Sequence, residues 1–333
     1  MERTITLGSR GSQLALCQAQ GVAAALRKAH PDLRVELLII KTSGDRFTDV
    51  PLSKIGGKGL FVKEIEEALR EGRIDLAVHS MKDVPAELAP GLALGAVTRR
   101  EDPRDALLLP GGRENDGAAA LGDSPSRTLT AISFEVLREG ARLGTSSLRR
   151  RAQVLAGRPD LTVAPLRGNL DTRLRKLRAG EVDAVILAAA GLHRLGWREA
   201  ITAYLDPSLS LPAIGQGALG IEVREEDAPT QQAVRVLHDA ETASAVRAER
   251  ALLRRLSGSC QVPIAGYAVV EGRKLRLRAL LAALEGAPIL AAEGVAALDE
   301  AEELGARVGE QILAMGGREL LAEILAAAQA AQR

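Results

Sequence analysis

Residues 72–78 read Gly-Arg-Ile-Asp-Leu-Ala-Val, and residues 180–186 read Gly-Glu-Val-Asp-Ala-Val-Ile. Each stretch follows a basic, Leu-containing segment with helical spacing. The glycine is a helix stop, and the apolar run behind it has the length of a buried strand. Upstream of the first copy, residues 60–70 form an amphipathic helix with Phe61, Ile65, Ala68 and Leu69 on one face. Further back, residues 4–7 read as a strand, residues 8–12 as a Gly/Ser turn, residues 13–29 as a helix and residues 35–40 as a second strand. Upstream of the second copy, Leu143-Gly144-Thr145-Ser146-Ser147 leads into a helix over residues 148–156, as Leu7-Gly8-Ser9-Arg10-Gly11-Ser12 leads into the first. Two matches in the same order predict two similar α/β lobes. The βαβ pattern predicts a mostly parallel sheet covered by helices in each.

The remaining chain is divided around these lobes. Residues 211–223, LPAIGQGALGIEV, are a glycine-rich crossing followed by a strand, which returns the chain to the first lobe. From residue 240 the character changes: a helix over 244–256, strands over 266–270, 274–283 and 288–292, then two Ala/Leu-rich helices. Strands followed by helices predict a smaller α+β domain. The expected division is residues 1–99 with 216–238 as lobe 1, residues 100–215 as lobe 2, and residues 239–333 as the C-terminal domain. Residues 110–130, rich in Gly, Asp and Ser without periodicity, are expected to be a surface insertion.

Composition excludes several classes of function. An apolar fraction of 46% with 26% charged residues is that of a soluble globular chain. With 44 Lys and Arg against 43 Asp and Glu, the net charge of +1 gives no global attraction to nucleic acid. Aromatic residues, at 2%, are too few for base-stacking platforms. The opening MERTITLGSR lacks an apolar signal core, and no apolar run approaches the ~20 residues that span a bilayer. The cytosol is the expected location, where thiols stay reduced. Two cysteines make no disulfide framework, and no second Cys or His near Cys260 suggests a metal site.

The turns carry the chemistry. A Gly/Ser/Thr turn at a helix start is an anion site, through free N–H groups and the helix dipole; plain N-capping is the commoner use. Arginines beside each turn favour the anion site: Arg10 at the first, Arg149 and Arg150 at the second, then Arg167 and Arg173 in PLRGNLDTR. Their guanidinium forks bind carboxylates in pairs of hydrogen bonds. Successive helical side chains diverge by about 100°, so Arg149 and Arg150 are expected to flank a cleft and Arg151 to point elsewhere. In HSMKDVP, residues 79–85, Asp83 follows an apolar strand, at the end of a strand where α/β sheets hold their sites. Surrounding cations would keep it ionised, fit to stabilise a cation or relay protons; a turn-capping role is the alternative. Cys17 fits a small buried position on the face of Leu14, Gly21 and Ala25. Cys260 does not: RLSGSCQVPI is turn-forming, not an apolar run.

The chain resembles the porphobilinogen deaminase (hydroxymethylbilane synthase) family. The matching pieces are GSRGSQLAL, KTSGDR, GGKGLFVKEIEEAL, DLAVHSMKDVP, EDPRDAL, GTSSLRRRAQ, LRGNLDTRL, AGLHRLG, LPAIGQGALGIE and ERALLRRLSGSCQVPI. They run in order through residues 5–265; beyond residue 267 only length and general pattern match. The insertion at 110–130 is longer than the family pattern leads one to expect. The resemblance implies two periplasmic-binding-protein-like lobes with a cleft, plus the small C-terminal domain. It implies a cytoplasmic, monomeric transferase of tetrapyrrole and haem biosynthesis. Such an enzyme condenses four porphobilinogen molecules with loss of ammonia and releases linear hydroxymethylbilane by hydrolysis. It implies a dipyrromethane cofactor joined to Cys260 by a thioether, which suits the soft nucleophilicity of a thiolate. Carried over by motif, Arg10, Ser12, Lys82, Thr145, Ser147, Arg149, Arg150, Arg167, Gly168 and Arg173 would hold the cofactor. Arg10, Ser12, Arg149, Arg150, Arg167, Arg173, Arg194 and Gln216 would hold the substrate. Lys54 and Lys58 would lie in a closing loop, and Asp83 would be catalytic.

Two other readings compete. A bilobal anion-binding protein without catalysis leaves Cys260 and Asp83 unused. A Cys-dependent acyl-transfer enzyme needs a histidine, and His30, His79, His193 and His238 are all remote from Cys260 in sequence.

Overall fold

The computed structural model describes residues 3–43, 62–111, 134–257 and 262–330. Cys260, Lys54, Lys58 and all but the first two residues of the 110–130 insertion lie outside the described residues. In chain order the strands are β1 (Arg3–Ser9), β2 (Leu33–Ile39), β3 (Leu76–Ser80), β4 (Leu92–Val97), β5 (Asp105–Leu108), β6 (Arg142–Gly144), β7 (Thr162–Ala164), β8 (Ala184–Ala188), β9 (Ala203–Tyr204), β10 (Leu219–Arg224), β11 (Ile264–Glu271), β12 (Lys274–Ala282) and β13 (Ile289–Ala297).

They form three sheets: β2-β1-β3-β10-β4, β7-β6-β8-β5-β9 and β11-β12-β13. The first two share one plan, and the repeated heptads lie at its centre. Gly72 and Gly180 end the helices Lys63–Arg70 and Leu170–Arg178 with φ of 71° and 72°. Asp75 N–H donates to the Thr6 carbonyl and its carboxylate accepts from Thr6 N–H. Asp183 makes the same pair of bonds with Arg142. Gly8 of β1 leaves room for Ile74, and Gly144 of β6 leaves room for Val182. One local device therefore sets the β1–β3 and β6–β8 registers, Leu7 opposite Leu76 and Leu143 opposite Ala184.

Each of these two sheets is mostly parallel, as the βαβ pattern predicts, but carries one antiparallel strand. β10 runs antiparallel to both β3 and β4, and β5 runs antiparallel to both β8 and β9. The crossings explain this. The chain leaves the first lobe after Val97 and enters the second at Asp105, opposite Ala188, the last residue of β8. It returns into β10 at Leu219, opposite Ser80, the last residue of β3. A strand entering a parallel set from its carboxyl end must run against it. The return into the first sheet matches the sequence reading of residues 211–223; β4 was not read from the sequence at all.

The third sheet is an antiparallel meander. It packs with the helices Ala240–Arg255, Ala301–Ile312 and Arg318–Ala330 around Leu252, Leu275, Leu277, Leu304 and Val308, all fully buried. Each such leucine stabilises the fold by roughly 1.5–3 kcal/mol. The first of these helices begins four residues before the expected position. Asp239 caps it, accepting the Thr242 N–H at 2.8 Å. Among the described residues no helix is long and apolar enough to cross a membrane.

Candidate active site

The carboxyl ends of β1, β3, β6 and β8 converge between the lobes. Two contiguous hollows lie there, of about 470 and 430 Å³ including open solvent, and share Leu14, Gln18 and Ser80. Lys82, Arg150, Arg173, Arg194 and Gln216 reach the larger one. Arg10, Ser12, His79 and Asp83 line the other.

Local sequence places each group. Ser12 caps the helix Gln13–Ala29, accepting the Ala15 N–H at 3.4 Å, and this leaves Arg10 at the strand-to-helix turn. Ser147 caps the helix Leu148–Gly157 through the Arg150 N–H, while the Thr145 hydroxyl accepts the Ser147 N–H at 3.2 Å. After β3, the 3-10 turn Met81–Asp83 swings Lys82 and Asp83 outward while Met81 stays buried. Gly168, at φ 100°, offers its carbonyl to Arg173 Nε at 2.9 Å. Arg194 donates to the Gly217 carbonyl at 2.6 Å.

The cleft is electrostatically unbalanced. Lys82 is exposed at the cleft surface but has dense protein around it. Burial pushes the ammonium down to about 8; Asp83 opposes the shift and Arg150 adds to it. Burial likewise pushes Arg173 down to about 10, with Arg150 and Arg167 repelling it. Burial also lowers Arg167 and Arg194. Such a set calls for anionic ligands, each of which would restore the cations to their ordinary range. The residues present therefore fit a group bearing several carboxylates, as a two-ring pyrrole cofactor with acetate and propionate arms does.

Of the three consecutive arginines, Arg151 does point away, pairing with exposed Glu285 at 2.7 Å. Arg149 and Arg150 differ from each other. Arg150 lines the cleft. Arg149 lies behind it, with Nη1 bonded to Asp105 at 2.8 Å and to the Leu211 carbonyl at 2.6 Å. Thr145, Arg167 and Gly168 stand near the cleft without lining the two hollows. Cys17 is half-buried, not enclosed. The buried face of its helix carries Gln18, Ala19, Val22, Ala23 and Leu26. Its thiol instead lies 3.0 Å from the Arg194 carbonyl, at the seam of the lobes.

Sequence reasoning missed two buried carboxylates. Asp105 grips Arg149 and Arg150; the motif EDPRDAL drew attention to its segment but not to the residue. Glu222 on β10 meets His79 at 2.9 Å, both inside the first lobe beside the Asp83 hollow. Only the fold joins residues so far apart in sequence.

The geometry defines a class: a two-lobed α/β protein whose interlobe cleft collects cations around the exposed carboxylate of Asp83 and suits a small polyanion. The dipyromethane cofactor binding domain model of porphobilinogen deaminase matches residues 5–232, and the C-terminal domain model matches residues 243–314. The chain belongs to the porphobilinogen deaminase family. It is 49% identical to the porphobilinogen deaminase of Syntrophobacter fumaroxidans over 97% of this chain and 98% of that one. It is 51% identical to that of Syntrophotalea carbinolica over 96% of each chain. Among solved structures, the methionine-binding protein MetQ overlaps 72% of this chain and 92% of that chain at 12% identity, with a TM-score of 0.42.

Proposed function

We infer that this protein condenses four porphobilinogen molecules, with release of ammonia at each step, and then frees linear hydroxymethylbilane by hydrolysis. The observation that carries this reading is the cleft's surplus of enclosed cations around Asp83. Porphobilinogen and the growing chain carry an acetate and a propionate on every ring, so they bring anions to Lys82, Arg173 and Arg194, whose pKa values burial in the cleft lowers. The dipyrromethane of the family supplies, when bound, the pyrrole carbon from which the chain is extended.

Lys82, Arg150, Arg173 and Arg194 bind carboxylates, and Gln216 gives the cleft a fixed polar wall. Arg10 and Ser12 hold an incoming substrate carboxylate beside Asp83. Arg167, Gly168, Thr145 and Ser147 shape the second-lobe wall, and Arg149 supports it from behind. Asp83 holds the substrate pyrrole N–H and stabilises the positive charge that develops as ammonia leaves. Water excluded between the lobes strengthens both effects. Cys260 anchors the cofactor. A thiol free to form a thioether fits the reducing cytoplasm.

Intact mass of purified protein tests this reading. The wild type should exceed its sequence mass by two pyrrole units, and Cys260→Ser should be folded at its bare mass. An active wild type without added mass, or the same adduct in the variant, overturns it.

A further inference from the structure

We propose that Asp105 is the positioning residue of the cleft, gripping Arg149, Arg150, Ser210 and Gln216 at once and so fixing how Arg150 meets substrate. The proposal rests on the reading of the cleft as a porphobilinogen site. Asp105 itself does not line the cleft; it is fully buried at the first residue of β5.

Its contacts are unusually complete. Oδ1 accepts from Arg149 Nη2 at 3.1 Å, Arg150 Nε at 3.0 Å, Arg150 Nη2 at 2.7 Å and Gln216 Nε2 at 3.0 Å. Oδ2 accepts from Arg149 Nη1 at 2.8 Å and Ser210 Oγ at 2.7 Å. Burial alone would raise its pKa, but Arg149 and Arg150 outweigh burial and hold it far below the carboxylate range. The group is a permanent anion under two cations, leaving the cluster with a net charge of +1.

The partners come from separate parts of the chain. Arg149 and Arg150 begin the helix Leu148–Gly157. Ser210 and Gln216 belong to the returning crossing, and Asp105 ends the outgoing one. One carboxylate thus locks the arginine pair to both connections between the lobes. Arg150 is further fixed by the Ile186 carbonyl at 3.1 Å, and Gln216 by the Pro103 carbonyl at 2.6 Å. An amide cannot substitute for the carboxylate. Asn offers one acceptor oxygen and would turn its NH2 toward guanidinium or hydroxyl donors. Loosened from Asp105, Arg150 would no longer hold the angle at which its fork meets a carboxylate.

The test is a double-mutant cycle on the holoenzyme, with KM and kcat for porphobilinogen, thermal midpoint and intact mass measured for each protein. Asp105→Asn should raise KM tenfold or more and leave kcat within threefold, because it disturbs binding and not the reacting atoms. In an Arg150→Met background the same change should raise KM less than twofold, since Asp105 acts through Arg150. Additive effects, or a fall in kcat as large as the rise in KM, overturn the proposal. If Asp105→Asn does not accumulate folded, Asp105→Asn with Arg149→Met restores the buried charge of +1. Its KM should then exceed that of Arg149→Met alone tenfold; equality overturns the proposal. A wild type that does not turn over porphobilinogen would instead sink the functional reading.

Discussion

Lys82 should set the alkaline limb of the pH profile. Burial holds its ammonium at about 8 in the unliganded cleft, the nearby guanidinium of Arg150 adding to the effect. The pH profile of cofactor loading into apoenzyme reports groups of the empty cleft, before any carboxylate restores Lys82. If only charged Lys82 takes up a cofactor carboxylate, the competent fraction of the empty cleft is about nine-tenths at pH 7 and about one-tenth at pH 9, a fall of roughly tenfold. Water entering the cleft softens the burial penalty, so about 8 is the lower bound for the limb. Arg173, lowered only to about 10, adds little over this range. The assay is the initial rate at which apoenzyme gains the two-pyrrole mass from limiting porphobilinogen, from pH 6.5 to 9.5 at constant ionic strength. Lys82→Arg should carry its charge through the whole range and lose this limb, even if its different fork lowers the rate everywhere. Titration of the substrate's own amine would persist in both proteins, so the difference between them isolates Lys82. A wild-type profile flat to pH 9.5, or an unchanged limb in Lys82→Arg, would refute the reasoning.

Two further outcomes are expected. Asp83→Asn keeps size and turn-forming capacity but removes charge, so it should retain the cofactor mass and lose turnover by about 10²–10³-fold, in the range for a removed transition-state contact; near-normal turnover would leave Asp83 a turn residue. Gly217→Ala should destabilise by about 1–3 kcal/mol, because φ of 92° disfavours any side chain and the new Cβ would meet the Glu101 carbonyl. An unchanged urea midpoint would count against that strain.

What was legible in the sequence was local. The heptads at 72 and 180 work through a glycine stop, an aspartate bonded back to the neighbouring strand and a glycine facing a branched side chain, all within one βαβ unit. The cationic turns were legible for the same reason: caps and the arginines beside them sit within a few residues. Strand direction was not. Whether β5 and β10 run with or against their neighbours depends on which end of the sheet the crossing enters, and no residue within either strand encodes that. Arg149 and Arg150 look alike in sequence, yet Asp105, more than forty positions earlier, turns one inward while the other reaches the cleft. The Glu222–His79 pair spans 143 positions and was equally hidden. Cys17 was assigned to the wrong environment because its helix has a second partner, the opposite lobe, that periodicity cannot reveal.

The position of β10 bears on how the chain is made. β10 lies between β3 and β4, but about 120 residues separate its first residue from the end of β4. At synthesis speeds of about 5–20 residues per second, β3 and β4 wait roughly 6–24 s for the strand that joins them. Until then Leu76, Ala77 and Val78, all buried in the finished protein, have an open hydrogen-bonding edge. The second sheet has a shorter delay: β5 ends at Leu108 and its partner β8 begins at Ala184, about 75 residues later. A nascent chain that has emerged from the ribosome only as far as residue 205 would thus have a second lobe free to close and a first lobe with an unsatisfied apolar edge. That edge is where a nascent chain of this protein is most open to capture by a chaperone or by another unfinished copy.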